Sequence, residues 1–331
     1  MVAEVAVRPD GDLDGWLPIR AYDSENRLML DCCWVGQRRL SEPFFDHTVE
    51  ACLRLPFNRL FRRQLEISEL VEIEACQPGL QPSGLIFHLS RCGSTLVAQM
   101  LAALPWAVVA SEPSVIDGVI RQWQSRTATT EQILVTWLKA ILGCLMRPRS
   151  GGESAHFVKL DPWHTVHLPL FQRAFPEAPC IFVYRDPVEV LVSLSREPGA
   201  RLVPGAIDPK LLDLDLEEVM ALDSADYHAR VLRLICDAAL ESLRPGIDLL
   251  VNHDQLPRWV GSVLLRGLGF ELSDQDLCKL EQRSLFRAKF GETVHTNDSE
   301  RKRASATVEI KRAAERWLAE PHARFESLNQ R

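Results

Sequence analysis

The sequence lacks several features that would each indicate a class of protein. It has no apolar run of the about eighteen residues that a membrane-spanning helix needs, and no basic start followed by the apolar core of a signal peptide. None of its nine cysteines forms a C-x-x-C pair, and their count is odd, which argues against a structural zinc site and a disulfide framework. We therefore expect a cytoplasmic protein without a metal site or a membrane partner.

Basic residues are not in excess either. The chain carries 38 Lys and Arg against 45 Asp and Glu, so its formal net charge is −7. Such a mildly acidic chain offers no dominant basic face to duplex nucleic acid, which we do not expect as a partner. With 331 residues, of which 46% are hydrophobic, the chain is long enough for one large domain or two smaller ones.

Residues 85–96 are the most informative stretch of the sequence. The apolar run 85–89 predicts a buried strand, Ser90 to Gly93 predict a tight turn, and Ser94 is suited to cap the helix that follows. A strand, a glycine-bearing turn and a helix present free backbone N–H groups and a helix dipole to an anion. The hydroxyls of Ser94 and Thr95 and the charge of Arg91 add to a predicted phosphate site.

Alternatives remain for this stretch. It also fits an ordinary strand-to-helix turn capped by Ser94. A nucleotide-triphosphatase loop, G-x-x-x-x-G-K-[ST], does not fit, because no Lys separates Gly93 from Ser94 and the first Gly would fall on His88. The helix N-terminus is expected to lower the pKa of the Cys92 thiol, but a nucleophilic role would require a base, and His88 lies within the strand.

Four further apolar runs predict strands at 106–110, 156–160, 180–184 and 247–252, with helical patterns between them. This alternation indicates an α/β fold with a doubly wound, mostly parallel sheet flanked by helices. Ligands bind at the carboxyl edge of such sheets. Two charged residues follow predicted strands, Glu112 and Arg185, and Ser193 lies eight residues after Arg185 in the next predicted helix. These side chains could face that edge together with Arg91. Glu112 could equally belong to the first turn of a helix, and Arg185 to a solvated pair with Asp186.

The remaining segments carry less specific signals. Residues 1–80 predict a small α+β section, and the Pro- and Gly-rich segment 77–84 reads as a linker to a second domain at 81–331. The long loop 197–215 is typical of a lid or binding element, and a single helix is expected over 216–243. Arg287 to Arg303 reads as a basic loop, followed by a last helix at about 304–328.

Together these stretches resemble the sulfotransferase superfamily, whose members use 3′-phosphoadenosine 5′-phosphosulfate (PAPS) and share a P-loop-type α/β fold. Residues 87–96 look like its 5′-phosphosulfate loop, whose common forms read P-K-S-G-T-T or P-R-S-G-T-T. Residues 182–193 look like its 3′-phosphate motif, with the family's eight-residue separation between Arg185 and Ser193. Residues 250–257 are similar to a later Y-E-x-L segment, with His253 where Tyr is usual.

The resemblance implies a role for each matching residue. Arg91 would contact the 5′-phosphosulfate and ease the departure of the sulfuryl group. Arg185 and Ser193 would hold the 3′-phosphate, and the remaining turn residues would form the cradle: Cys92, Gly93, Ser94 and Thr95. Glu112 lies where some branches place a catalytic Glu, and Lys159 resembles the Lys of a K-D-P segment, here interrupted by Leu160.

The resemblance therefore implies transfer of a sulfuryl group from PAPS to a hydroxyl or amine of a small-molecule, carbohydrate or peptide acceptor, without a metal. Residues 1–80 would be a packing subdomain or a cover on the acceptor side. Two alternatives stay open. A P-loop kinase would need a Lys before Ser94 and a strand-end Asp, for which Asp186 is the available candidate. A nucleotide-binding protein without transfer activity is the other.

Overall fold

The computed structural model describes residues 13–126, 129–149, 151–199, 202–203, 212, 214–285 and 298–329. The strands of this part of the chain are β1 (Trp16–Ser24), β2 (Arg27–Trp34), β3 (Arg63–Glu66), β4 (Gly84–His88), β5 (Ala107–Ser111), β6 (Ala155–Lys159), β7 (Cys180–Tyr184) and β8 (Leu249–Asn252).

The helices are α1 (Phe45–Leu53), α2 (Pro56–Leu60), α3 (Ile67–Cys76), α4 (Ser94–Ala102), α5 (Ser114–Ser125), α6 (Glu131–Leu145), α7 (Leu168–Ala174), α8 (Pro187–Arg196), α9 (Leu216–Ala221), α10 (Ser224–Ser242), α11 (Asp274–Ser284), α12 (Ser299–Ala304) and α13 (Val308–Asn329). Short 3₁₀ turns cover Pro162–His167 and His253–Gln255, and Val260–Leu265 is a π-helical segment.

A five-stranded parallel sheet forms the centre of the molecule, with strand order β5-β6-β4-β7-β8. From β4 the chain moves outward to β5, returns to β6 beside β4, and then crosses to β7 and β8 on the other side. The connections leaving β4 and β7 thus run in opposite directions, which opens a crevice at the carboxyl ends of these two neighbours. The expected α/β fold with a parallel sheet flanked by helices is confirmed.

Both faces of this sheet are covered, which explains why its strands read as uninterrupted apolar runs. On β4, Leu85 and Phe87 enter the larger core cluster, whereas Ile86 enters the second one. The larger cluster also contains side chains of α6, α7, α10 and α13, and the second contains those of α4 and residues 259–265. Successive side chains along a strand point to opposite faces of the sheet, and each face is packed against helices.

Three strands within residues 16–66 build a separate antiparallel sheet, ordered β1-β2-β3. Its hairpin turns at Glu25 and Asn26, whose φ angles of 53° and 63° suit a tight two-residue loop. The side chains of this sheet belong to the same core cluster as β4 and α5. This sheet and helices α1 to α3 make up the expected small α+β section, and the division at residue 80 stays a prediction.

Two local expectations differ from the structure. The predicted helix 216–243 is two helices, because Leu222 is extended and Asp223 caps α10 by accepting a hydrogen bond from the Asp226 N–H at 2.8 Å. Basic residues 301–303 lie in helix α12 rather than in a loop, whereas Arg287 and Lys289 lie outside the described residues. Most of the expected loop 197–215 lies outside them as well.

Candidate functional site

The turn between β4 and α4 is backbone-strained at the position where an anion site was predicted. Ser90, Arg91 and Gly93 all have positive φ angles, of 53°, 49° and 94°, and positive φ is uncommon for residues other than glycine. Gly93, not Ser94 as expected, is the N-cap of α4, and Ser94 is its buried first residue. The first intrahelical bonds run from the Leu96 and Val97 N–H groups to the Gly93 carbonyl, so the amides before them have no partner within the helix.

Gly93 is required here for space as well as for conformation. A Cβ atom at this position would lie 2.7 Å from Nδ1 of His253. The same nitrogen lies 3.2 Å from the carbonyl oxygen of Cys92, so His253 holds the turn from the β8 side. His253 follows a late predicted strand and was given no role from the sequence. In the structure it contacts the turn after β4.

The guanidinium of Arg91 is only partly engaged by the protein. Its Nη2 donates to the Glu197 carbonyl oxygen at 2.9 Å and pairs with the Glu197 carboxylate, whose side chain is 71% exposed. Such an exposed pair is weak and easily exchanged. The buried Nε of Arg91 has no hydrogen-bond partner in the described residues. A buried donor without a partner is costly and marks a place where a bound anion would fit.

Cys92 differs from expectation. Its side chain is fully buried in the second core cluster, and burial raises the pKa of its thiol to about 11, although nearby N–H groups and Lys159 oppose that rise. The effect of burial exceeds that of the helix N-terminus, so the expected lowering is wrong. Cys92 can contribute its backbone to the turn, but its side chain serves as packing.

Glu112, Lys159 and His88 meet at the carboxyl ends of β5, β6 and β4. Lys159 is wholly buried and pairs with Oε1 of Glu112, and Nε2 of His88 lies 3.4 Å from the same oxygen. The Glu112 N–H donates to the Lys159 carbonyl at 2.6 Å, and the φ angle of Glu112 is 51°. The strained backbone thus turns a carboxylate inward toward two basic side chains.

The protonation states of this cluster follow from its contacts. Burial by itself would raise the pKa of the Glu112 carboxyl, but the charge of Lys159 and the hydrogen bond from His88 hold it well below its usual range. Burial and the charge of Lys159 lower the pKa of His88. Because Nδ1 of His88 accepts the Ser90 N–H at 3.2 Å, the proton lies on Nε2, which is 3.0 Å from the Leu160 carbonyl.

The N-terminal section reaches this cluster through Phe44. The Nζ atom of Lys159 lies 5.6 Å from the centroid of the Phe44 ring, a favourable cation–π distance. Next to it, Oδ1 of Asp46 accepts a hydrogen bond from the Ser114 hydroxyl at 2.9 Å, just after Glu112 in the chain. Residues before position 80 therefore form one wall of the site.

Arg185 follows β7 as predicted, but protein carboxylates bind its side chain. Nε donates to Oε2 of Glu189 at 2.6 Å, and Nη2 donates to Oδ1 of Asp298 at 2.8 Å and to the Ser299 hydroxyl at 3.2 Å. Ser193 lies one turn beyond Glu189 on α8, hence on the face that α8 turns toward Arg185. Asp186 caps α8 by accepting the Glu189 N–H at 3.1 Å.

His253 connects the two predicted phosphate sites. Burial, together with the charge of Arg185, lowers the pKa of His253 to about 4, while its contact with the Cys92 carbonyl opposes the shift. The neutral imidazole therefore contacts the turn after β4 and is near enough to the arginine after β7 for its charge to act on it. Because β4 and β7 are the strands on either side of the reversal in the sheet, both arginines border the crevice at which α/β proteins bind ligands.

The predicted residues thus gather at one edge of the sheet in two groups. Other residues contact them without having been predicted as site residues, among them His88 and Phe44 at the Glu112 cluster, and Glu189 and Asp298 on Arg185. His88 was visible as a polar residue ending an apolar strand, but nothing local marked Phe44 or Asp298. In the described residues no helix is long and apolar enough to cross a bilayer, and no three His, Cys, Asp or Glu side chains are grouped to hold a metal ion.

Comparison with known proteins agrees with this geometry. Residues 85–229, somewhat less than half of the chain, match the sequence profile described as the sulfotransferase family. The match contains the turn after β4, Glu112, Lys159, Arg185 and Ser193. The resemblance to the sulfotransferase superfamily is thereby confirmed. None of the curated proteins with which the chain was compared matches it.

Several solved structures align with the chain at low identity. Sulfotransferase STF9 from Mycobacterium avium is 12% identical at a TM-score of 0.45, over 76% of this chain and 81% of that one. A sulfotransferase domain from the Synechococcus PCC 7002 olefin synthase is 15% identical at 0.44, over 72% and 94%. A sulfotransferase from Alicyclobacillus acidocaldarius is 14% identical at 0.41, over 76% and 97%. At these scores the assignment rests on the sequence match.

Proposed function

We propose that this protein is a sulfotransferase that moves a sulfuryl group from PAPS to a hydroxyl or amine of a small-molecule, carbohydrate or peptide acceptor. The observation that carries the proposal is the placement of two arginines at the two strands that border the reversal of the sheet: Arg91 in the turn after β4, and Arg185 immediately after β7. PAPS carries one anionic group at each end of its ribose, and two cations at one crevice suit that charge pattern.

The turn after β4 fits the 5′-phosphosulfate. Arg91 would use its unpartnered Nε and exchange the exposed Glu197 for the ligand. The backbone of Cys92, Gly93, Ser94 and Thr95 would supply N–H groups, and the helix dipole of α4 would add its field. These donors are held in place before binding, so they stabilise the negative charge that develops on the leaving phosphate at no cost in reorganisation.

Glu112 is the proposed base for the acceptor. Its Oε1 is bound by Lys159 and His88, while Oε2 has no protein partner in the described residues, and the side chain is 22% exposed. Oε2 can therefore accept the proton of an incoming hydroxyl as the hydroxyl oxygen bonds to sulfur and the bond from sulfur to the leaving phosphate breaks. Protonation of Glu112 would weaken its pair with Lys159 and release that positive charge toward the turn, where negative charge is growing. In phosphoryl-type transfers such positioning and charge stabilisation supply most of the rate enhancement.

At the other end Arg185 and Ser193 would hold the 3′-phosphate, once the guanidinium exchanges one of its carboxylate partners. A planar guanidinium binds phosphate in a paired geometry that a Lys cannot reproduce. This contact would distinguish PAPS from ATP. The expected absence of a metal and of a nucleic-acid or membrane partner, and the cytoplasmic location, stay predictions.

The kinase alternative has less support at this site. Asp186, the candidate metal ligand, caps α8 and faces Arg303, with 3.7 Å between Oδ2 of Asp186 and Nη2 of Arg303. The Asp186 carboxylate is therefore already engaged by the start of α8 and by Arg303. The sequence also lacks the Lys that cradles the terminal phosphates in such proteins.

A thermal-melt titration with 3′-phosphoadenosine 5′-phosphate (PAP), with ATP and Mg²⁺ in parallel, tests the proposal. At about 100 times its Kd, PAP should stabilise the protein by about 2.7 kcal/mol, a rise in Tm of about 4 °C for a chain of this size. Arg185→Lys, which keeps the charge but loses the planar fork, should abolish most of the shift. A shift with ATP and Mg²⁺ but none with PAP would overturn the proposal in favour of a kinase.

PAPS turnover against a panel of hydroxyl and amine acceptors then tests transfer itself, with PAP release as the readout. Turnover that requires both an acceptor and an intact Glu112 carboxylate supports a sulfotransferase. PAP binding without turnover on any acceptor would favour the nucleotide-binding protein without transfer activity.

A further inference from the structure

The guanidinium of Arg185 lies between two carboxylates that differ in how firmly they are held. Glu189 is almost fully buried, comes from the adjacent helix α8, and is also bound by Nε of Arg303 at 2.8 Å. Asp298 comes from a distant part of the chain and its side chain is 28% exposed. Of the two partners, Asp298 is therefore the one that solvent and an incoming ligand can reach.

The Asp298 carboxylate lies among three basic side chains. Oδ1 accepts from Arg185 at 2.8 Å, and Oδ2 lies 3.1 Å from Nζ of Lys302 and 3.9 Å from Nη2 of Arg301. Burial would raise the pKa of Asp298, but Arg185 and Lys302 together lower it to about 2. The carboxylate is therefore ionised at neutral pH and neutralises charges that would otherwise be available to a ligand.

The local fold does not require this carboxylate. Asp298 is the N-cap residue of α12, yet its side chain makes no capping hydrogen bond to that helix. Among the contacts of the described residues its side chain serves Arg185, Lys302 and Arg301. Asp298 therefore contributes its negative charge to Arg185 rather than a capping hydrogen bond to α12.

We propose that Asp298 is an affinity-determining residue of the donor site: an internal anion that occupies the place of the 3′-phosphate on Arg185 and is displaced when the donor binds. This inference rests on the proposed function. A phosphate dianion would restore the charge balance of Arg185, Lys302 and Arg301 after Asp298 leaves. A nucleotide without a 3′-phosphate would leave Asp298 where it is.

Competition of this kind has a consequence for turnover. The product PAP keeps the 3′-phosphate, so its departure leaves Arg185, Lys302 and Arg301 with one anion fewer unless another anion replaces it. Asp298 is tethered beside the site and can do so at once. The exchange weakens the binding of donor and product alike, and it speeds release of the product.

The test is calorimetric titration of PAP and 5′-AMP into four proteins: the unchanged chain, Asp298→Asn, Asp298→Ser and Glu300→Gln. Asn and Ser are both favourable N-cap residues, so the start of α12 is preserved. Glu300→Gln is the matched control, because it removes one negative charge from an exposed position two residues away. Melting curves verify that each variant is folded.

We expect both Asp298 variants to bind PAP at least about tenfold more tightly than the unchanged chain, since they lack the competing charge. The affinity of both Asp298 variants for 5′-AMP should stay within about twofold of that of the unchanged chain. The affinity of Glu300→Gln for PAP should also stay within about twofold of the unchanged chain, because removing an exposed charge has a small effect. Dissociation of PAP should slow in the same proportion.

Two results would overturn the inference, and they are distinguishable. If the unchanged chain binds PAP and neither Asp298 variant binds it more tightly, Asp298 does not compete with the 3′-phosphate, while the proposed function stands. If no protein of the four binds PAP, the proposed function fails and the inference fails with it.

Discussion

Each end of the crevice has an arginine, but the two arginines differ in how fully protein groups bind them. After β4, Arg91 lies on a strained turn, paired with an exposed carboxylate and with one buried N–H unused. After β7, Arg185 lies on relaxed backbone and is bound by two carboxylates and a hydroxyl. The first arginine is ready for a ligand before binding, and the second must exchange a partner. Under the proposed function, the β4 end would serve the reaction and the β7 end would set how tightly the donor is held.

The comparison predicts that chemistry depends on the β4 end. Glu112→Gln removes the proposed base, and loss of a general base lowers rates by about 10²–10⁴. The affinity for PAP should be unchanged, because Glu112 contacts Lys159 and His88 rather than the β7 end. Initial rates of PAP release with a responsive acceptor, beside calorimetry, measure both quantities. Glu50→Gln, an exposed change of equal charge, is the control, and a full rate in Glu112→Gln would assign the base elsewhere.

Stability should depend more on the β7 end. Arg185→Ala leaves the buried Glu189 with Arg303 as its remaining basic partner, and breaking a buried pair costs about 3–5 kcal/mol. Arg91→Ala breaks an exposed pair worth less than about 1 kcal/mol. Urea unfolding of the two variants measures the contrast. Equal losses of unfolding free energy would mean that the two arginines do not differ as described.

The strain of the β4 turn predicts a smaller effect. Gly93→Ala places a side chain at a φ angle of 94° and 2.7 Å from His253, which should lower the free energy of unfolding by about 1–3 kcal/mol. PAP binding should weaken too, because the cradle must shift. Gly152→Ala is a matched control, since a Cβ atom there meets nothing within 4 Å. A Gly93→Ala protein as stable as that control would contradict the role given to this glycine.

The neutral His253 beside the β4 turn predicts a pH dependence. Its pKa is about 4 in the folded protein and about 6.5 when unfolded, so the unfolded chain binds more protons between these values. The contribution of His253 to stability is therefore complete above about pH 6.5 and is lost as the pH falls toward 4, and at about 1.4 kcal/mol per pKa unit it amounts to about 3 kcal/mol. His156 and His167, whose pKa values burial also lowers to about 4, act in the same direction.

His253→Asn isolates this contribution, because its amide can keep the contact of Nδ1 with the Cys92 carbonyl without titrating. The decline of unfolding free energy between pH 6.5 and 4 should be shallower in the variant by that amount. Parallel declines in the two proteins would show that His253 is not held neutral by its surroundings.

Much of the fold could be read from local pattern. The runs at 85–89 and 180–184 were predicted as buried strands and are β4 and β7, because strands covered on both faces must be apolar throughout. The break at Asp223 was missed, although an aspartate that caps a helix is a local signal. The shift in the pKa of the Cys92 thiol was predicted in the wrong direction. The sequence shows that a helix begins next to Cys92, but it does not show that the side chain is completely buried.

The sequence by itself determined the strand–turn–helix after β4 and the eight-residue spacing of Arg185 and Ser193, because both depend on neighbours along the chain. Only the tertiary structure decided which charges meet. Glu112 and Lys159 are brought together by the pairing of β5 with β6, and Asp298 reaches Arg185 across 113 positions of the chain. Electrostatic pairing depends on distance and burial in space, and neither is encoded in a local pattern of residue types.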